Sequence, residues 1–306
     1  MRRHDGDAGD DVRAAARRTA GREGRPQVTL PILTALPGER RGYVDGPDGQ
    51  IHYRSHGEGP PVLLVHQAPW ASIQYRHALP RMAAAGFRAI AIDLPGHGMS
   101  DPPAHPSIAA YGESLAALLR GLGLGAAAVI GHRGGALAAA NLAASHPEMV
   151  SGLVLDNAPY LSAEERAARI GRFPDRQDIA PDGSHLVERW AWVRRVGDPD
   201  WSDETVHISV LTYFAHGPWK EHGHGAIPLH DPAPDMAAVA APTLVIASRT
   251  DPLFGSGARL LNVRPDWEYS ELPGGPGMVL DRPDEWCAVV IPFVDRLFAG
   301  LRPDAG

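Results

Sequence analysis

The pentapeptide GHRGG at residues 131–135 is the segment whose residue types and spacing most directly suggest chemistry. The apolar run AAAVI precedes it and the small-residue stretch ALAAANLAASHPE follows it, which predicts a strand, a tight turn and a helix. At the third position of such a turn we expect a nucleophile, exposed at the top of a sheet. The residue there is Arg133, whose guanidinium stays protonated and cannot act as a nucleophile. The turn therefore predicts a fixed positive charge at this place.

Short apolar segments alternate with helical stretches along most of the chain, and these elements must position Arg133. An antiparallel hairpin is predicted over residues 42–57. The later strands are predicted at PVLLVHQ (61–67), FRAIAIDLP (87–95), AAAVIGH (126–132), SGLVLDN (151–157), PTLVIAS (242–248) and WEYSEL (267–272). Helices are predicted near residues 74–85, 108–123, 134–146 and 284–300. This alternation predicts an α/β fold with a mostly parallel eight-stranded sheet and helices on both faces.

The alternation of strands and helices stops after the strand that ends near residue 157. Residues 161–235 are richer in charge, tryptophan and histidine, and they predict a helical lid inserted into the α/β core. The core is then expected at residues 28–160 and 236–306. Residues 1–27 carry charge but no apolar h-region, so we expect a disordered leader and not a secretory signal.

Four stretches of the chain resemble the α/β-hydrolase fold superfamily, over nearly all of residues 40–302. They are LLVHQAP, IAIDLPGHGMSDPP, VIGHRGGALAAANLAASHPEMVSGLVLDN, and PTLVIASRTDPLFG together with ELPGGPGMVLDRPDEW. The resemblance implies the α/β-hydrolase fold with its inserted lid. It also implies a catalytic triad, in which a nucleophile hands its proton to a histidine that an acid orients.

Two members of that triad are replaced in this chain. Arg133 occupies the position of the nucleophile in register, because residues 131–147 have the length of the family's pattern. Pro276, in GGPG, stands where the resemblance implies the histidine, and the last histidine of the chain is His230. Asp251 remains as the acid. Ester hydrolysis through an acyl-enzyme is therefore not expected.

An arginine at the start of a helix lies beside the positive end of the helix dipole, so it needs an anion nearby. Asp251 is one such anion, and the pair would then simply fill the former site. A substrate carboxylate, phosphate or enolate is the other. In that case Arg133 would act with the N–H groups of Ala68 and Gly134, which the resemblance implies form an oxyanion hole. The sequence leaves both alternatives open.

Histidines are the natural candidates for a base. His132 is one, although in this frame the side chain usually packs beneath the turn. His66 ends its strand and is a candidate for the site, with hydrogen bonding to nearby backbone as its structural alternative. Gln67 and Trp70 are candidates for the pocket wall, and His97 in PGHG is expected to stabilise its own loop.

The predicted lid supplies aromatic side chains for an apolar cavity that would suit a bulky, flat ligand. Its candidate pocket residues are Trp190, Tyr213, His216 and Trp219. The segment HGPWKEHGHG at residues 216–225 is rich in histidine, but no carboxylate or thiolate falls at a metal-ligand spacing. We therefore predict no metal and no cofactor. Asp156 is a secondary location for the acid in some relatives.

Composition excludes several classes of function. The net charge of −7 argues against a nucleic-acid partner. The sequence has no run of 18 apolar residues, so we expect no membrane span. The single cysteine, Cys287, excludes an internal disulfide framework and fits a cytoplasmic location. We expect a small-molecule substrate as the partner, with a homodimer as one option for the oligomeric state.

The first hypothesis is a non-hydrolytic enzyme that stabilises a developing oxyanion on a small polyketide-like or aromatic metabolite. Cyclisation, elimination by a lyase, or C–C bond chemistry would follow from the same site. One alternative is a hydrolase with an unconventional nucleophile or with direct activation of water. The other is a catalytically inactive protein that binds a small molecule or serves as an accessory subunit.

Overall fold

The computed structural model describes residues 35–172, 179–216 and 221–300. The leader predicted at residues 1–27 and the candidate pocket residue Trp219 lie outside the described residues. Within the described ranges, no helix combines the length and the apolar character needed to cross a bilayer.

Eight strands form one sheet in the described part of the chain, in the order β1-β2-β4-β3-β5-β6-β7-β8. Their bounds are β1 Arg40–Gly46, β2 Gly49–His56, β3 Pro61–Val65, β4 Arg88–Ile92, β5 Ala127–His132, β6 Val150–Asp156, β7 Thr243–Ser248 and β8 Glu268–Leu272. The hairpin β1–β2 is antiparallel and pairs antiparallel with β4, whereas β3 to β8 pair in parallel. The predicted mostly parallel eight-stranded sheet is confirmed.

Helices connect the strands and cover the sheet. Their bounds are α1 Ala78–Ala84, α2 Ile108–Gly121, α3 Gly134–Ser145, α4 Ala163–Ala167, α5 Ser184–Val196, α6 Asp203–Ala215, α7 His222–Leu229, α8 Ala233–Ala238, α9 Phe254–Val263, α10 Met278–Asp281 and α11 Pro283–Leu297. Two short 3₁₀ turns lie at Ser72–Tyr75 and Pro147–Met149.

Side chains of the central strands alternate between two hydrophobic cores, one on each face of the sheet. In β3, Leu63 and Val65 belong to one core, whereas Val62 and Leu64 belong to the other. Helices α2 and α3 complete the first core, and α1 and α11 complete the second. Because both faces are covered by helices, the parallel strands read as continuous apolar runs in the sequence.

Helices α4 to α8 lie in sequence between β6 and β7, within the segment that we predicted as a lid. Part of this segment forms a third hydrophobic core with the chain that follows β3. Val193 and Trp201 from the segment pack there with Trp70 and Ile73. The role of residues 161–235 as a lid stays a prediction, since packing alone does not reveal movement.

The carboxyl ends of the parallel strands meet at one edge of the sheet, where α/β folds bind ligands. Arg133 follows β5, Asp156 ends β6, and Asp251 lies in the turn after β7. The loop that contains Pro276 follows β8. Residues far apart in the sequence are thus brought to one place by the shared direction of the strands.

Candidate active site

The turn at Arg133 has the strained backbone that presents a side chain at the top of a sheet. Arg133 has φ 49° and ψ −114°, a left-handed backbone conformation that residues other than glycine rarely adopt. Its N–H donates to the carbonyl of Asp156 at 2.8 Å, which fixes the turn to β6. Gly131 and Gly135 permit the sharp turn, because a Cβ at either position would collide with neighbouring backbone. Such strain costs about 1–3 kcal/mol and is typical of functional sites.

Arg133 binds Asp251 through two parallel hydrogen bonds. Its Nε donates to Oδ2 at 3.0 Å and its Nη2 donates to Oδ1 at 2.8 Å. The Asp251 side chain is fully buried, and its Oδ1 also accepts from the N–H of Leu253 at 2.8 Å. This two-point geometry is the strongest form of an arginine–carboxylate contact. Of the two anions open to Arg133, the structure therefore pairs it with the acid of the chain.

The ion pair does not use all of the guanidinium. Nη1 of Arg133 has no hydrogen-bond acceptor among the described residues. The Arg133 side chain is 24% exposed, whereas its partner is completely buried. One donor group thus remains available at the carboxyl edge of the sheet while the other side of the guanidinium is held in place.

The loop that contains Pro276 is packed against the inserted segment. The carbonyl of Pro276 accepts a hydrogen bond from Nε2 of Gln67 at 3.3 Å. A Cβ at Gly277 would collide with the indole of Trp201, and Thr250 donates its hydroxyl to Asp198 at 2.9 Å beside this loop. The Pro276 loop is therefore enclosed by Gln67 and by residues of the insertion.

The side chain of His132 lies in a buried polar chain with two glutamines. Nε2 of Gln74 donates to Nδ1 of His132 at 2.7 Å, and Oε1 of Gln74 accepts from the N–H of Gln67 at 3.2 Å. Burial and the charge of Arg133 hold the pKa of His132 well below its usual value. No hydrogen bond joins His132 to Arg133 or Asp251 within the described chain. The structure gives this catalytic candidate a supporting position beneath the turn.

Both ring nitrogens of His66 are occupied by backbone. Nδ1 donates to the carbonyl of Gln67 at 2.9 Å, and Nε2 accepts from the N–H of Leu94 at 2.9 Å. Burial lowers its pKa, so the ring is held neutral. His66 therefore joins the ends of β3 and β4, and it has no lone pair left for a substrate.

The segment around Ala68 and Gly134 lies beneath helix α7. A Cβ at Gly223 would be 2.5 Å from the Cβ of Ala68, and a Cβ at Gly134 would be 3.0 Å from Cδ1 of Ile227. Because positions 223 and 227 are one turn apart, a single face of α7 covers both residues. Neither N–H of the implied oxyanion hole has an acceptor in the described part of the chain.

The aromatic candidates take part in two sets of packing contacts. Trp70 is buried and packs edge-on against Trp201, with ring centroids 6.2 Å apart, and Trp190 packs against the same core. Tyr213 lies 3.5 Å beneath the guanidinium of Arg189, and burial and the nearby Glu221 raise its pKa to about 12. These side chains are mainly part of the packing of the insertion.

His216 completes the set of candidates from the insertion. It is buried, and its ring lies edge-on to that of His97, with centroids 5.1 Å apart. Among the described residues, no group of three or more His, Cys, Asp or Glu side chains has the geometry to hold a metal ion.

Sequence reasoning missed several residues that shape the site. Gln74 lies in a stretch that reads as an ordinary helix, and nothing in the local pattern marks it as the link between Gln67 and His132. The contacts of Gly223 with Ala68 and of Ile227 with Gly134 also had no signal, because they depend on how α7 docks.

Asp156 was given little weight from the sequence, and the structure places it beneath Arg133. Its oxygens accept from Nε1 of Trp286 at 2.9 Å and from Nδ2 of Asn157 at 2.8 Å. Burial raises the pKa of Asp156 to about 7, with a further contribution from the charge of Asp251. Asp156 is therefore a carboxyl group that titrates near neutral pH close to the ion pair.

A surface groove of about 490 Å³ lies at the opposite, amino edge of the sheet. Its lining includes Ser55, His56 and Glu58 near the end of β2, together with Ala83 and Ala84 of α1. It contains none of the candidate site residues. We therefore assign the site to the carboxyl edge, where the charged side chains converge.

The fold and the strained turn define the class of protein to which this chain belongs. The family model of the alpha/beta hydrolase fold matches residues 60–264, about two thirds of the chain. The chain is therefore a member of the α/β-hydrolase family. The predicted membership and fold class are both confirmed.

Several proteins similar to this chain in sequence are named as hydrolytic enzymes. The chain is 30% identical over 261 residues to a haloalkane dehalogenase of Mycobacterium marinum, covering 76% of this chain and 81% of the relative. It is 33% identical over 142 residues to the bifunctional epoxide hydrolase 2 of Rattus norvegicus, covering 44% of this chain. The matched regions span between about a quarter and a half of the epoxide hydrolases from Rattus norvegicus and Caballeronia sordidicola.

Solved structures agree in fold over most of the chain. An epoxide hydrolase from an endophytic Streptomyces superimposes with a TM-score of 0.69 at 24% identity, covering 86% of this chain and 97% of its own. E-2-(acetamidomethylene)succinate hydrolase gives a TM-score of 0.70 at 22% identity, covering 84% and 99%. At this level of identity the agreement concerns the fold.

Proposed function

We propose that this chain is an enzyme that stabilises negative charge on a substrate oxygen and forms no covalent intermediate. Arg133 and the N–H groups of Ala68 and Gly134 would supply the hydrogen bonds to that oxygen. A small organic substrate, polyketide-like or aromatic, would undergo cyclisation, elimination or C–C bond chemistry through an enolate or alkoxide. Fixed donors of this kind stabilise developing charge without reorganising during the reaction.

The observation that carries this proposal is the divided use of the Arg133 guanidinium. Nε and Nη2 are held by Asp251, while Nη1 has no acceptor among the described residues. A pair that only filled an abandoned site would need no exposed donor, yet the Arg133 side chain is 24% exposed. Asp251 thus orients a cation whose remaining donor can meet an anionic oxygen.

The absence of a covalent intermediate follows from the residue types at two positions. Arg133 cannot attack a substrate, and Pro276 has neither a titratable group nor a backbone donor. Gln67 and the insertion occupy the space beside the Pro276 loop. The proton relay of the family therefore has no counterpart along this route.

Hydrolysis is the second candidate, and the names of the relatives favour it. Epoxide hydrolases and a haloalkane dehalogenase are among the proteins most similar in sequence. Opening of an epoxide also develops negative charge on oxygen, which Arg133 could stabilise while water attacks directly. This version needs the same cation and the same two N–H groups, but a water molecule in place of an internal nucleophile.

The test of the oxyanion site uses phenols as stable analogues of an enolate. The unmodified protein is expected to bind 4-nitrophenol as the phenolate, seen by its visible absorption band. Arg133→Met combined with Asp251→Asn removes the cation without leaving a buried carboxylate unpaired. We expect about a 10- to 100-fold loss of phenolate affinity, because a hydrogen bond to a charged group contributes about 1.5–3 kcal/mol.

Arg249→Met is the matched control, since Arg249 lies two positions before Asp251 and is paired with Glu271 on the surface. It should bind phenolate as the unmodified protein does. Turnover of styrene oxide, 1-bromobutane and 4-nitrophenyl acetate then separates the two candidate reactions. Release of diol or alcohol that disappears in the double variant would favour hydrolysis. Equal phenolate binding by the double variant would refute the oxyanion site.

A further inference from the structure

His97 occupies the loop after β4, in the segment PGHG. We propose that His97 is the proton acceptor of this site, taking a proton from the substrate at Nε2 and later returning it. This inference rests on the proposed function, because the proton leaves as negative charge develops at Arg133. The sequence marked His97 only as a residue that stabilises its own loop.

The hydrogen bond of His97 within its loop fixes which ring nitrogen carries the proton. Nδ1 lies 3.2 Å from the carbonyl of Pro95. A carbonyl oxygen can only accept, so Nδ1 must be the protonated nitrogen of the neutral ring. Nε2 is then left with its lone pair. The Pro95 carbonyl thus orients the imidazole in the way that an acid orients the histidine of a triad.

The lone pair of His97 is enclosed by protein. The side chain is 1% exposed, and Nε2 is buried without a hydrogen-bond partner in the described chain. Buried polar atoms normally have a partner, and an exception such as this one calls for an explanation, of which a catalytic role is one. A substrate O–H or an activated C–H is the kind of group that such an acceptor would meet.

The position of Nε2 connects it with the implied oxyanion hole. A Cβ at Gly223 would lie 2.5 Å from the Cβ of Ala68 and 3.3 Å from Nε2 of His97. The ring and Ala68 therefore border the same point, beneath the first turn of α7. Ile227, one turn further along that face, covers Gly134 beside Arg133. One turn of an α-helix spans about 5.4 Å, so the base and the anion site are within reach of one small molecule.

Other buried histidines near the turn are in the wrong state to accept a proton. His66 has both nitrogens bound to backbone. Nδ1 of His132 accepts from Gln74, so its proton is on Nε2 and no lone pair remains. His97 differs from both because its lone pair is oriented and has no donor in the described chain.

The proposed step conserves atoms and charge. The bond between hydrogen and the substrate's carbon or oxygen breaks, and its electron pair stays on the substrate as an enolate or alkoxide. The proton bonds to Nε2 of His97, which forms an imidazolium. After the substrate rearranges, the imidazolium returns the proton to the product and the neutral ring is restored.

The surroundings of His97 keep the ring neutral before a substrate binds. Burial holds the pKa of His97 well below its usual value, with smaller contributions from His66, His216 and His224. These histidines come from the end of β3, the end of α6 and helix α7, and the Tyr111 ring of α2 also packs against His97. A negative charge that develops on the substrate would raise the proton affinity of the His97 ring during the reaction.

The test counts protons when 4-nitrophenol binds as phenolate at a pH below the pKa of the phenol. In the unmodified protein, His97 should keep the proton, so almost none reaches the solvent. His97→Asn retains a donor for Pro95 but has no acceptor at the position of Nε2. Binding of phenolate to this variant should release about one proton per site, measured by calorimetry in buffers of different ionisation enthalpy.

His97→Gln and His105→Asn complete the set. The Gln side chain places an amide near the position of Nε2 but loses the hydrogen bond to Pro95. If the role of His97 were purely structural, His97→Gln would therefore impair the protein and His97→Asn would not. His105 is exposed and serves as a neutral control. Phenolate binding with the same proton release in His97→Asn and the unmodified protein would overturn the role of His97 alone. No bound phenolate in the unmodified protein would overturn the oxyanion site and this inference together.

A ligand-free measurement tests the same assignment independently. The ¹⁵N spectrum of the histidine rings, with His97→Asn used for assignment, should show Nε2 unprotonated at neutral pH and still unprotonated at pH values where free histidine is charged. A proton on Nε2 at neutral pH would contradict the proposal. This result does not depend on the choice of phenol.

Discussion

Two features of Arg133 lower the stability of the folded protein: its left-handed backbone and its positive charge at the start of α3. The helix start has its own partial positive charge, so the cation there needs a compensating anion. Asp251 supplies it from a fully buried side chain, with a second hydrogen bond from Leu253 that orients the carboxylate. Removing one partner alone would leave a buried charge unpaired, which typically costs about 3–5 kcal/mol. This is why the test of Arg133 also changes Asp251.

Asp156 supports a prediction at the same scale. Its pKa is raised to about 7 by burial, so the folded protein holds a proton there that the unfolded chain releases near pH 4. The contribution of this one carboxyl group to stability therefore falls as pH rises from about 4 towards 7. The free energy of unfolding of the unmodified protein, relative to Asp156→Asn, should drop by on the order of a few kcal/mol between pH 5 and pH 8.

Urea denaturation at several pH values measures this difference. Asp45→Asn provides the comparison, because Asp45 is an exposed residue of β1. Its difference from the unmodified protein should not change with pH. A constant difference for Asp156→Asn as well would mean that Asp156 is ionised throughout this range.

Helix α7 is the element that lies over Ala68 and Gly134 of the proposed site. It spans His222–Leu229 and has three glycine or proline positions within eight residues. Its contacts with Ala68 and Gly134 depend on the lack of a side chain at Gly223 and on the fit of Ile227. The helix therefore packs closely on the turn although its sequence is a weak helix former.

Two glycines of α7 give a matched pair of variants. A Cβ at Gly223 would lie 2.5 Å from that of Ala68, whereas nothing lies within 4 Å of a Cβ at Gly225. We expect Gly223→Ala to destabilise the protein by about 1–3 kcal/mol, as overpacking does. Gly225→Ala should be neutral or stabilising by up to about 1 kcal/mol. Thermal unfolding distinguishes them, and equal effects would show that α7 does not pack on Ala68.

At the scale of the whole molecule, three buried histidines lie near the carboxyl edge of the sheet. Burial lowers the pKa of His66, His97 and His132 in the folded protein. The unfolded chain takes up protons at these residues below about pH 6.5, and the folded protein does not. Their contribution to stability is therefore present above that pH and is lost as the pH falls. Asp156 acts in the opposite direction.

The expected outcome is a protein that is less stable at pH 5 than at pH 7.5. Three buried rings that resist protonation act together over this interval, against one carboxyl group that acts in the opposite direction. The loss should be larger still in Asp156→Asn. Urea denaturation at the two pH values checks both statements. Equal stability at pH 5 and pH 7.5 would show that these rings are protonated in the folded state.

Local patterns in the chain were sufficient to predict the architecture and the residue type at the tip of the turn. Apolar segments alternating with helical ones predicted the parallel sheet, and the glycines around Arg133 predicted the tight turn. That Arg133 and Pro276 stand where the resemblance implies a nucleophile and a histidine is a prediction from register within the motifs, made without coordinates. These features are local, since strand and helix periodicity and turn chemistry are encoded over a few neighbouring residues.

The partners of those residues were decided by packing. Arg133 and Asp251 are 118 positions apart, and Gln67 and Pro276 are 209 apart. Contacts of this kind depend on which strands are adjacent, where their ends lie and how α7 docks, and no short stretch of sequence contains that information. The same is true of His97, whose role in the proposed chemistry comes from the direction of one lone pair towards a helix about 126 residues later. The sequence determines which side chains are present. They form a site only because the fold brings the carboxyl ends of the strands to one edge of the sheet.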